Sequence, residues 1–231
     1  MLFRSASQRA AAFILTAAML TTLTAPAFAK TWDIEKGDIT VKAGEAEGPN
    51  KVKQGDNDFV KDEGETIITG TSNQNTVTIE AENKGDKVEV TLKDLNIDAT
   101  SRGYKDHTDT GKAAVSVTGS GDTTIELDGS NTLKSGDKHA GLEHNKTDTS
   151  GKLTIQDDND NAGSLTATGG SFSAGIGGGS VKAGQVTITG GTITAIGTDG
   201  AGIGGGQGNM GSNAGNADIE IDRKSVGRER V

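Results

Sequence analysis

The sequence AGIGGG occupies residues 174–179 and occurs again at residues 201–206, with VTITGGTITA at residues 186–195 between the two copies. In the middle segment apolar residues alternate with threonine, which predicts two short strands with one buried face, joined at a Gly-Gly pair. Ile176 and Ile203 are expected to point inward, and the glycines around them to turn the chain sharply. A motif that repeats at a fixed period is typical of stacked, solenoid-type folds.

The same unit recurs with weaker matches along the chain. Its first strand begins at Val90, Ile125, Leu153, Val186 and Ile219, at intervals of 35, 28, 33 and 33 residues. Each unit also contains a second strand and a third, shorter element, and no stretch after the first 29 residues has a helical period. We therefore predict an all-β fold, a β-solenoid whose strand starts stack about 4.7–4.9 Å apart around a narrow apolar core.

Residues 1–29 have the pattern of a secretory signal. Arg4 and Arg9 precede an apolar run over residues 10–23, and Ala27-Phe28-Ala29 forms a cleavage pattern. The alternative, a membrane anchor, is disfavoured because the run is shorter than the roughly 20 residues that span a bilayer. We expect an exported protein that is secreted or held at the cell surface, without membrane insertion after the signal is removed.

Two segments flank the repeats, which we place at residues 72–221. Residues 30–71 are charged and lack the repeat, so we expect them to form an N-terminal cap over the open end of the sheet, where an uncovered edge invites aggregation. Residues 222–231 switch abruptly to a basic string without pattern. We interpret this string as a non-native or truncated tail, and a native basic tail is the alternative.

Charge and composition limit the expected partners. Removal of Arg4 and Arg9 with the signal changes the formal net charge from −9 to −11, and the remaining lysines are interspersed with Asp and Glu. Because a polyanion rewards clustered Lys and Arg, no nucleic acid partner is expected. The chain has no cysteine, which excludes disulfides and thiolate metal sites. Cations and neutral polymers fit this acidic balance better.

Residues 163–206 resemble a family of secreted bacterial carbohydrate-binding domain proteins that is common in clostridia and gut bacteria. The shared motifs are GGTITA, which is residues 190–195 of this chain, and GAGIGGG, which is residues 200–206; residues 125–133 also look similar to the family pattern. The resemblance implies a single-stranded, right-handed parallel β-helix, similar in architecture to pectate lyases. It also implies calcium and, from a clostridial member, binding of cellulose or acidic plant polysaccharide.

The best candidate for a cation site is the run Asp157, Asp158, Asn159, Asp160 and Asn161. Calcium prefers several carboxylate and amide oxygens that converge from a flexible loop. The run is not an EF-hand, because alanine occupies the position of the required glycine and threonine that of the bidentate glutamate. A polar turn between strands is the alternative. Two further ligands are expected from the preceding coil, namely Glu126 and Asp128.

Threonines on the outward side of the strands form a second candidate site. They flank inward-facing apolar residues, so stacking is expected to align their hydroxyls in flat arrays that suit an ordered, repetitive ligand such as a polysaccharide or ice. Ice is disfavoured, because Lys93 and Gln156 roughen the equivalent upstream surface. The alternative is that threonine is simply a good solvent-facing strand residue. The candidate ligand-binding residues are Thr166, Thr168, Thr187, Thr189, Thr192 and Thr194.

No catalytic site is predicted. His107, His139 and His144 lie in connecting loops without a recognisable pairing, and the chain contains no GxSxG motif or Cys/His arrangement. A lyase would need a basic side chain positioned as proton acceptor beside a cation-held uronate. The leading hypothesis is therefore a carbohydrate-binding β-helix, assisted by calcium, that is not an enzyme. A structural stalk or surface spacer is the second hypothesis, and a lyase-like enzyme is the third.

Overall fold

Short parallel strands wind around one axis in the computed structural model, which describes residues 29–45, 48–100, 111–159, 162–208 and 218–221. The winding makes about five turns, each with strands on three faces, and confirms the predicted all-β parallel solenoid. In chain order the elements are β1 Lys30–Asp33, a 3₁₀ turn Ile34–Lys36, β2 Ile39–Lys42, β3 Lys51–Gln54, β4 Val60–Lys61, β5 Thr66–Ser72, β6 Val77–Ala81, β7 Lys87–Asp98, β8 Val115–Gly119, β9 Asp122–Lys134, β10 Leu142–Glu143, β11 Leu153–Gln156, β12 Gly163–Ser173, β13 Ile176–Gly177, β14 Gln185–Ile188, β15 Thr192–Asp199, β16 Ile203–Gly204 and β17 Asp218–Ile221.

The strands form two sheets that enclose the axis. A nine-stranded sheet supplies two faces: face 1 consists of β1, β11, β14, β17 and the first halves of β5, β7 and β9, and face 2 consists of β12, β15 and the second halves of β5, β7 and β9. An eight-stranded sheet supplies face 3, in which β2, β6, β8, β10, β13 and β16 pair in parallel. We number the coils from 1 at β5 to 5 at β14.

The corner between faces 1 and 2 lies inside the long strands β7 and β9. The backbone turns at Asp94, with φ of 48°, and at Gly129, with φ of 65°. The Ser130 amide donates to Asp94 Oδ1 at 3.0 Å, which links the corners of two consecutive coils. Aspartate tolerates this left-handed conformation better than most residues, because its short side chain can bond to nearby backbone.

Residues 30–71, which the sequence assigns to a cap, contribute two kinds of structure. β1 pairs in parallel with β5, and β2 pairs in parallel with β6, so both extend the stack by a partial coil before coil 1. β3 and β4 instead pair antiparallel with β2 and with each other. Trp32 Nε1 donates to the buried Asp62 carboxylate at 2.7 Å and so ties the partial coil to the segment after β4.

Apolar side chains form continuous columns inside the stack. On face 1 the column is Val90, Ile125, Ile155 and Ile188, and on face 3 it is Val77, Val115, Leu142, Ile176 and Ile203. Most of these side chains are completely buried. Because each coil buries its apolar side only against its neighbours, the core is one narrow cluster along the axis.

The predicted register on face 1 is wrong between coils 3 and 4. Leu153 was expected to stack on Ile125, but Leu153 pairs with Thr123 and Ile155 pairs with Ile125. The shift of two residues arises because Thr123 occupies an inward position that the apolar pattern does not mark. Thr123 is 1% exposed, and its hydroxyl has no hydrogen-bond partner.

Face 2 carries a polar residue in its inner column. Asn131 lies between Leu95 and Leu165 and is buried. Its Oδ1 accepts from the Leu95 amide at 3.0 Å, and its Nδ2 donates to the Asp128 and Ser164 carbonyls at 3.2 and 3.1 Å. The amide group therefore bonds to the coils on both sides and bears little cost of burial.

The AGIGGG motif forms the corner and strand of face 3 in coils 4 and 5. Ile176 is completely buried and Ile203 packs partly against the core, as the sequence predicts. Gly177 has φ of 120°, and a Cβ atom there would collide with the carbonyl oxygen of Gly204 in the next coil. Glycine is required at this position both for its backbone conformation and for the close approach of two backbones.

The predicted signal sequence and the predicted tail lie almost wholly outside the described residues, which begin at Ala29 and end at Ile221. Among the residues that are described, no helix has the length and apolar character needed to cross a membrane.

Candidate functional site

A groove runs along face 1, parallel to the axis of the stack. It has a volume of about 670 Å³ and crosses coils 1 to 4. Four coils are separated by three strand spacings, so the groove is roughly 14 Å long. The lining residues are Gly48, Pro49, Asn50, Gly64, Glu65, Thr66, Lys87, Glu89, Val90, Thr91, Thr124, Glu126, Gln156, Asp158 and Asn159.

Two columns of outward-facing side chains run along face 1, and part of each column forms the floor of the groove. Column A consists of Glu89, Thr124, Thr154, Thr187 and Glu220, which pair in register along face 1. Column B lies two residues further along each strand. Its members are Ile67, Thr91, Glu126 and Gln156.

Hydrogen bonds fix the wall of the groove that comes from the N-terminal segment. Asn50 Nδ2 donates to the Glu89 carbonyl at 2.7 Å and to Thr66 Oγ1 at 3.0 Å. Thr91 Oγ1 donates to Glu65 Oε1 and holds that carboxylate over the floor. The loop after β2 and the start of coil 1 are therefore attached to coil 2.

The opposite wall is the turn after β11. The amides of Asp158 and Asn159 donate to Glu126 Oε1 at 2.8 and 3.1 Å. Glu126 thus joins coil 3 to the turn of coil 4, and its carboxylate is fixed by two backbone donors. A groove whose walls are held in this way presents preorganised polar groups to a ligand.

A smaller hollow adjoins the groove on the same face. It has a volume of about 280 Å³ and shares Lys87, Glu89 and Thr124 with the groove. Its lining also includes Thr154, the next member of column A. The polar surface therefore continues along column A towards coil 5.

The predicted threonines lie on two different faces. Thr187 belongs to column A, where it stacks with Thr154 and Thr124 on face 1. Thr189 follows it, and its amide donates to the Ile155 carbonyl at 2.9 Å. Neither Thr187 nor Thr189 lines the groove. Thr187 is nevertheless aligned with the groove floor, two coils beyond Thr124.

The other predicted threonines are on face 2. Thr166 pairs with Thr194 in coil 5 and with Thr132 in coil 3, so these three hydroxyls form one array. Thr192 pairs with Ser164, which extends the hydroxyl surface by a second, shorter column. Thr168 pairs instead with Ile196, whose side chain is exposed. The threonine array on face 2 is thus bounded by an apolar residue.

The predicted calcium ligands are only partly assembled. Asp160 and Asn161 lie outside the described residues. Asp157 Oδ2 accepts from the Gly163 amide at 3.2 Å, whereas Asp157 Oδ1 is buried without a hydrogen-bond partner. Asp128 forms an ion pair with Lys93 at 2.7 Å and raises the pKa of that lysine.

No group of three or more His, Asp or Glu side chains that could hold a metal ion occurs in the described parts of the chain. Glu126 is engaged by backbone amides and Asp128 by Lys93. Of the described candidate ligands, Asp157 alone therefore offers a buried oxygen without a partner. The calcium site stays a prediction centred on Asp157.

Two of the three histidines lie in described residues, and both have partners that the sequence did not reveal. His139 Nδ1 contacts Glu143 Oε2 at 2.9 Å, and this hydrogen bond raises the pKa of His139. Glu143 also accepts from the Ala140 amide at 3.1 Å and from Asn145 Nδ2 at 3.1 Å. The expectation of an unpaired His139 is wrong, because the turn before β10 folds it onto a buried carboxylate.

His144 lies inside the stack. Its Nε2 is 3.0 Å from the Gly151 carbonyl oxygen and its Nδ1 is 3.4 Å from the Val117 carbonyl oxygen, so the shorter contact favours the tautomer with the proton on Nε2. Burial lowers the pKa of His144 to about 4. His144 follows β10 directly, outside the strands, and its imidazole is buried and neutral, which the sequence did not indicate.

The groove itself was not predicted. Its members come from five separated segments, and the segment around Asn50 precedes the repeats. One signal was present in the sequence: Glu89 lies between the apolar residues Val88 and Val90, so its outward direction follows from strand alternation. The alignment of Glu89 with Thr124, however, depends on the register of two coils.

Comparison with known proteins bears on the coils that contain the glycine motif. No curated protein and no solved structure matches the chain. Residues 161–180 and 186–207 match the family described as beta helix repeat. These two stretches cover most of coils 4 and 5 and include both copies of AGIGGG. The match agrees with the strand pairing, and together they identify these coils as repeats of a parallel β-helix.

Proposed function

We propose that this protein binds an extended polysaccharide along face 1, with the groove as the primary contact. The observation that carries the proposal is a groove of about 670 Å³ that crosses four stacked coils and whose lining residues are mainly polar or charged. A groove parallel to the axis meets equivalent positions at each strand spacing of about 4.8 Å. Such a surface suits a polymer that repeats along its own length.

The chemistry of the lining supports a sugar ligand. Hydroxyl, amide and carboxylate groups project from the floor and both walls, and they can donate to and accept from sugar hydroxyls. The described lining contains no aromatic residue, so sugar rings would not stack as they do on tryptophan platforms. Binding would depend on hydrogen bonds, of which each contributes about 0.5–1.5 kcal/mol.

The proposal is binding without cleavage. Among the described lining residues there is no histidine, and Lys87 is the sole basic side chain. His139, the one described histidine that is paired with a carboxylate, contacts Glu143 beside face 3 and does not line the groove. We further propose that the protein acts outside the cell, as its predicted signal sequence implies.

Calcium is a separate part of the proposal. The buried Asp157 Oδ1 without a partner supports a cation at the turn after β11, but Glu126 and Asp128 already have protein partners. We therefore assign calcium no contact with the glycan. Its expected effect is to stabilise the turn, and a rise in melting temperature at millimolar calcium that is lost in Asp157→Asn tests this.

Paired variants test the proposed face. Thr124→Val with Gln156→Ala removes two polar groups from the groove floor, and we expect about tenfold weaker binding of cello-oligosaccharides and glucosamine oligosaccharides by calorimetry. The control, Thr166→Val with Thr194→Val, removes hydroxyls from face 2, and we expect a change below about twofold. If the control weakens binding and the groove variant does not, face 2 is the binding surface.

A structural spacer is the second candidate, because five stacked coils joined by parallel hydrogen-bond ladders form a regular rod. A spacer needs no ligand. If no polysaccharide in a pull-down panel is retained by the folded protein, the spacer replaces binding as the function.

A further inference from the structure

The groove has a regular arrangement of charge that its overall composition does not reveal. Each of the four coils that it crosses contributes one carboxylate. These are Glu65 in coil 1, Glu89 in coil 2, Glu126 in coil 3 and Asp158 in coil 4. Lys87 is the one basic residue in the described lining.

The acidic residues follow the spacing of the coils. Ile67 pairs with Thr91, so Glu65 aligns with Glu89 by continuation of this register two residues earlier. Glu126 pairs with Thr91, one column away from Glu89. Asp158 is attached to Glu126 through its amide. The backbone positions of these residues therefore advance by about one strand spacing of 4.8 Å per coil, and the side chains of Glu65 and Glu126 reach across to coils 2 and 4.

From this arrangement we propose that the preferred ligand is a polysaccharide of sugars with free amino groups, such as a chain of glucosamine units. The inference rests on the proposed function of the groove and specifies its ligand class. Protonated amines along such a chain complement a groove that is lined by four carboxylates and one lysine.

The same charges disfavour two other polymers. A polyuronate places a negative charge on each sugar, which the four carboxylates repel at short range. A basic peptide carries its charges on long flexible side chains, which lose more conformational freedom on binding than amines attached directly to a sugar ring.

Polar neighbours hold two of the carboxylates in place. Thr91 Oγ1 donates to Glu65, and two backbone amides donate to Glu126. Glu89 is exposed on the floor between them. Fixed carboxylates lose less conformational freedom on binding than mobile ones, which increases the contribution of each ion pair.

The experiment compares ligands of equal length and different charge. Calorimetry at low salt and mildly acidic pH, where sugar amines are protonated, measures binding of a glucosamine tetramer, its N-acetylated counterpart, a cello-tetraose, a galacturonate tetramer and a lysine tetrapeptide. We expect the glucosamine tetramer to bind about tenfold more tightly than the N-acetylated one, and high salt to remove most of this preference.

A matched pair of variants assigns the preference to the groove. Glu65→Gln with Glu89→Gln removes two aligned carboxylates, and we expect the preference for the amine, as the ratio of the affinities for the glucosamine tetramer and its N-acetylated counterpart, to fall about fivefold. Glu220→Gln removes an exposed carboxylate from column A beyond the groove, and we expect no change in the preference. Circular dichroism and thermal unfolding confirm that both variants fold.

The outcomes separate this inference from the proposed function. Binding of neutral or acidic glycans at least as tightly as the glucosamine tetramer overturns the amine preference and leaves polysaccharide binding in place. Tighter binding of the lysine peptide overturns it in favour of a basic protein segment. If no glycan binds to the folded protein, the proposed function fails, and the amine preference fails with it.

Discussion

Coils 1 to 3 and coils 4 and 5 form the same three faces by different means. Completely buried leucine and isoleucine side chains fill coils 1 to 3, and coil 4 still contains Ile155, Leu165 and Ile176, each at most 1% exposed. In coil 5, Ile193 is half-buried and Ile196 is 48% exposed. Glycines such as Gly175 and Gly177 instead bring the backbones of coils 4 and 5 into close contact. Apolar packing therefore continues through coil 4 and decreases in coil 5, and the repeated glycines add close backbone contact between coils 4 and 5.

This difference explains where the repeat is visible. A position at which a Cβ atom would collide with the next coil accepts glycine alone, so the motif recurs unchanged in coils 4 and 5. An inward apolar position accepts valine, leucine or isoleucine at modest cost, so coils 1 to 3 share a pattern without a motif. The repeat is therefore clearest in coils 4 and 5, of which coil 5 has the smaller apolar core. The groove lies mostly in the part of the chain before coil 4.

The largest expected effect is the loss of core packing in the early coils. Leu92 is completely buried and stacks between Ile68 and Leu127. We expect Leu92→Ala to lower the free energy of unfolding by about 2–5 kcal/mol. Ile193→Ala, at a half-buried position in coil 5, is expected to cost about 1 kcal/mol. Urea denaturation followed by circular dichroism measures both, and equal losses would show that the two cores contribute alike.

The next effect is a pH dependence of stability that arises from His144, a buried residue of coil 3. On face 3 an inner column runs through Val41, Ile79 and Val117 to His144, and glycine follows at position 178. Burial lowers the pKa of His144 from 6.5 to about 4. Below pH 6.5 the unfolded chain binds a proton at this residue and the folded protein does not, so stability falls as the pH decreases from 6.5 to 4. The integrated loss is about 3 kcal/mol.

Two variants isolate this pH dependence from the titration of the carboxylates. His144→Val should flatten the plot of unfolding free energy against pH between 4 and 6.5. His139→Gln should act in the opposite sense, because the pKa of His139 is raised and its contribution is present below pH 6.5 and lost as the pH rises through the folded pKa. A slope in His144→Val that equals that of the unmodified protein would place the acid sensitivity elsewhere.

The sequence was sufficient to predict the three-faced stack, and the reason is geometric. Strand alternation marks Ile125, Ile155 and Ile188 as inward residues, and they form one column at intervals of 30 and 33 residues, although the repeat aligned Leu153 with Ile125. Exact register was less predictable, because the inner columns contain Thr123, Asn131 and His144, which a hydrophobic pattern treats as surface residues. Each lies at an inward position of a coil that lacks the glycine motif.

The groove could not be predicted for a related reason. It forms where the loop near Asn50 and the turn near Asp158 lie over two outward columns, and neither segment shows the repeat. The candidate threonines were selected from the coils with the clearest repeat. Thr187 belongs to column A, but only Glu89 and Thr124, the members of that column nearest to the N-terminus, line the groove.

Two glycine substitutions separate the contribution of backbone conformation from that of close backbone contact between coils. Gly177 has φ of 120°, and an added Cβ would collide with the Gly204 carbonyl oxygen. Gly85 has φ of 102° and no heavy atom near the position of an added Cβ. We expect Gly85→Ala to cost about 1 kcal/mol from backbone strain alone and Gly177→Ala about 2–3 kcal/mol, because the coils must also separate. Equal costs, measured by thermal unfolding, would show that backbone contact contributes little.

The smallest expected effect is a gain in the early coils. Thr123 lies in the inner column between Val88 and Leu153, and its buried hydroxyl has no hydrogen-bond partner. Valine has nearly the same shape and no polar group to bury, so we expect Thr123→Val to raise the free energy of unfolding by about 1 kcal/mol. Thr124→Val is the control, because this neighbour faces outward on the groove floor and its stability should change little.

The same pair of variants tests the register on which column A depends. If Leu153 stacked on Ile125, as the repeat suggested, Thr123 would have no apolar neighbour in coil 4 and its replacement by valine would bring no gain. A stabilised Thr123→Val together with an unchanged Thr124→Val therefore supports the pairing of Leu153 with Thr123. That pairing also aligns Thr124 with Thr154 and so makes the groove and the threonine array of face 1 one continuous surface.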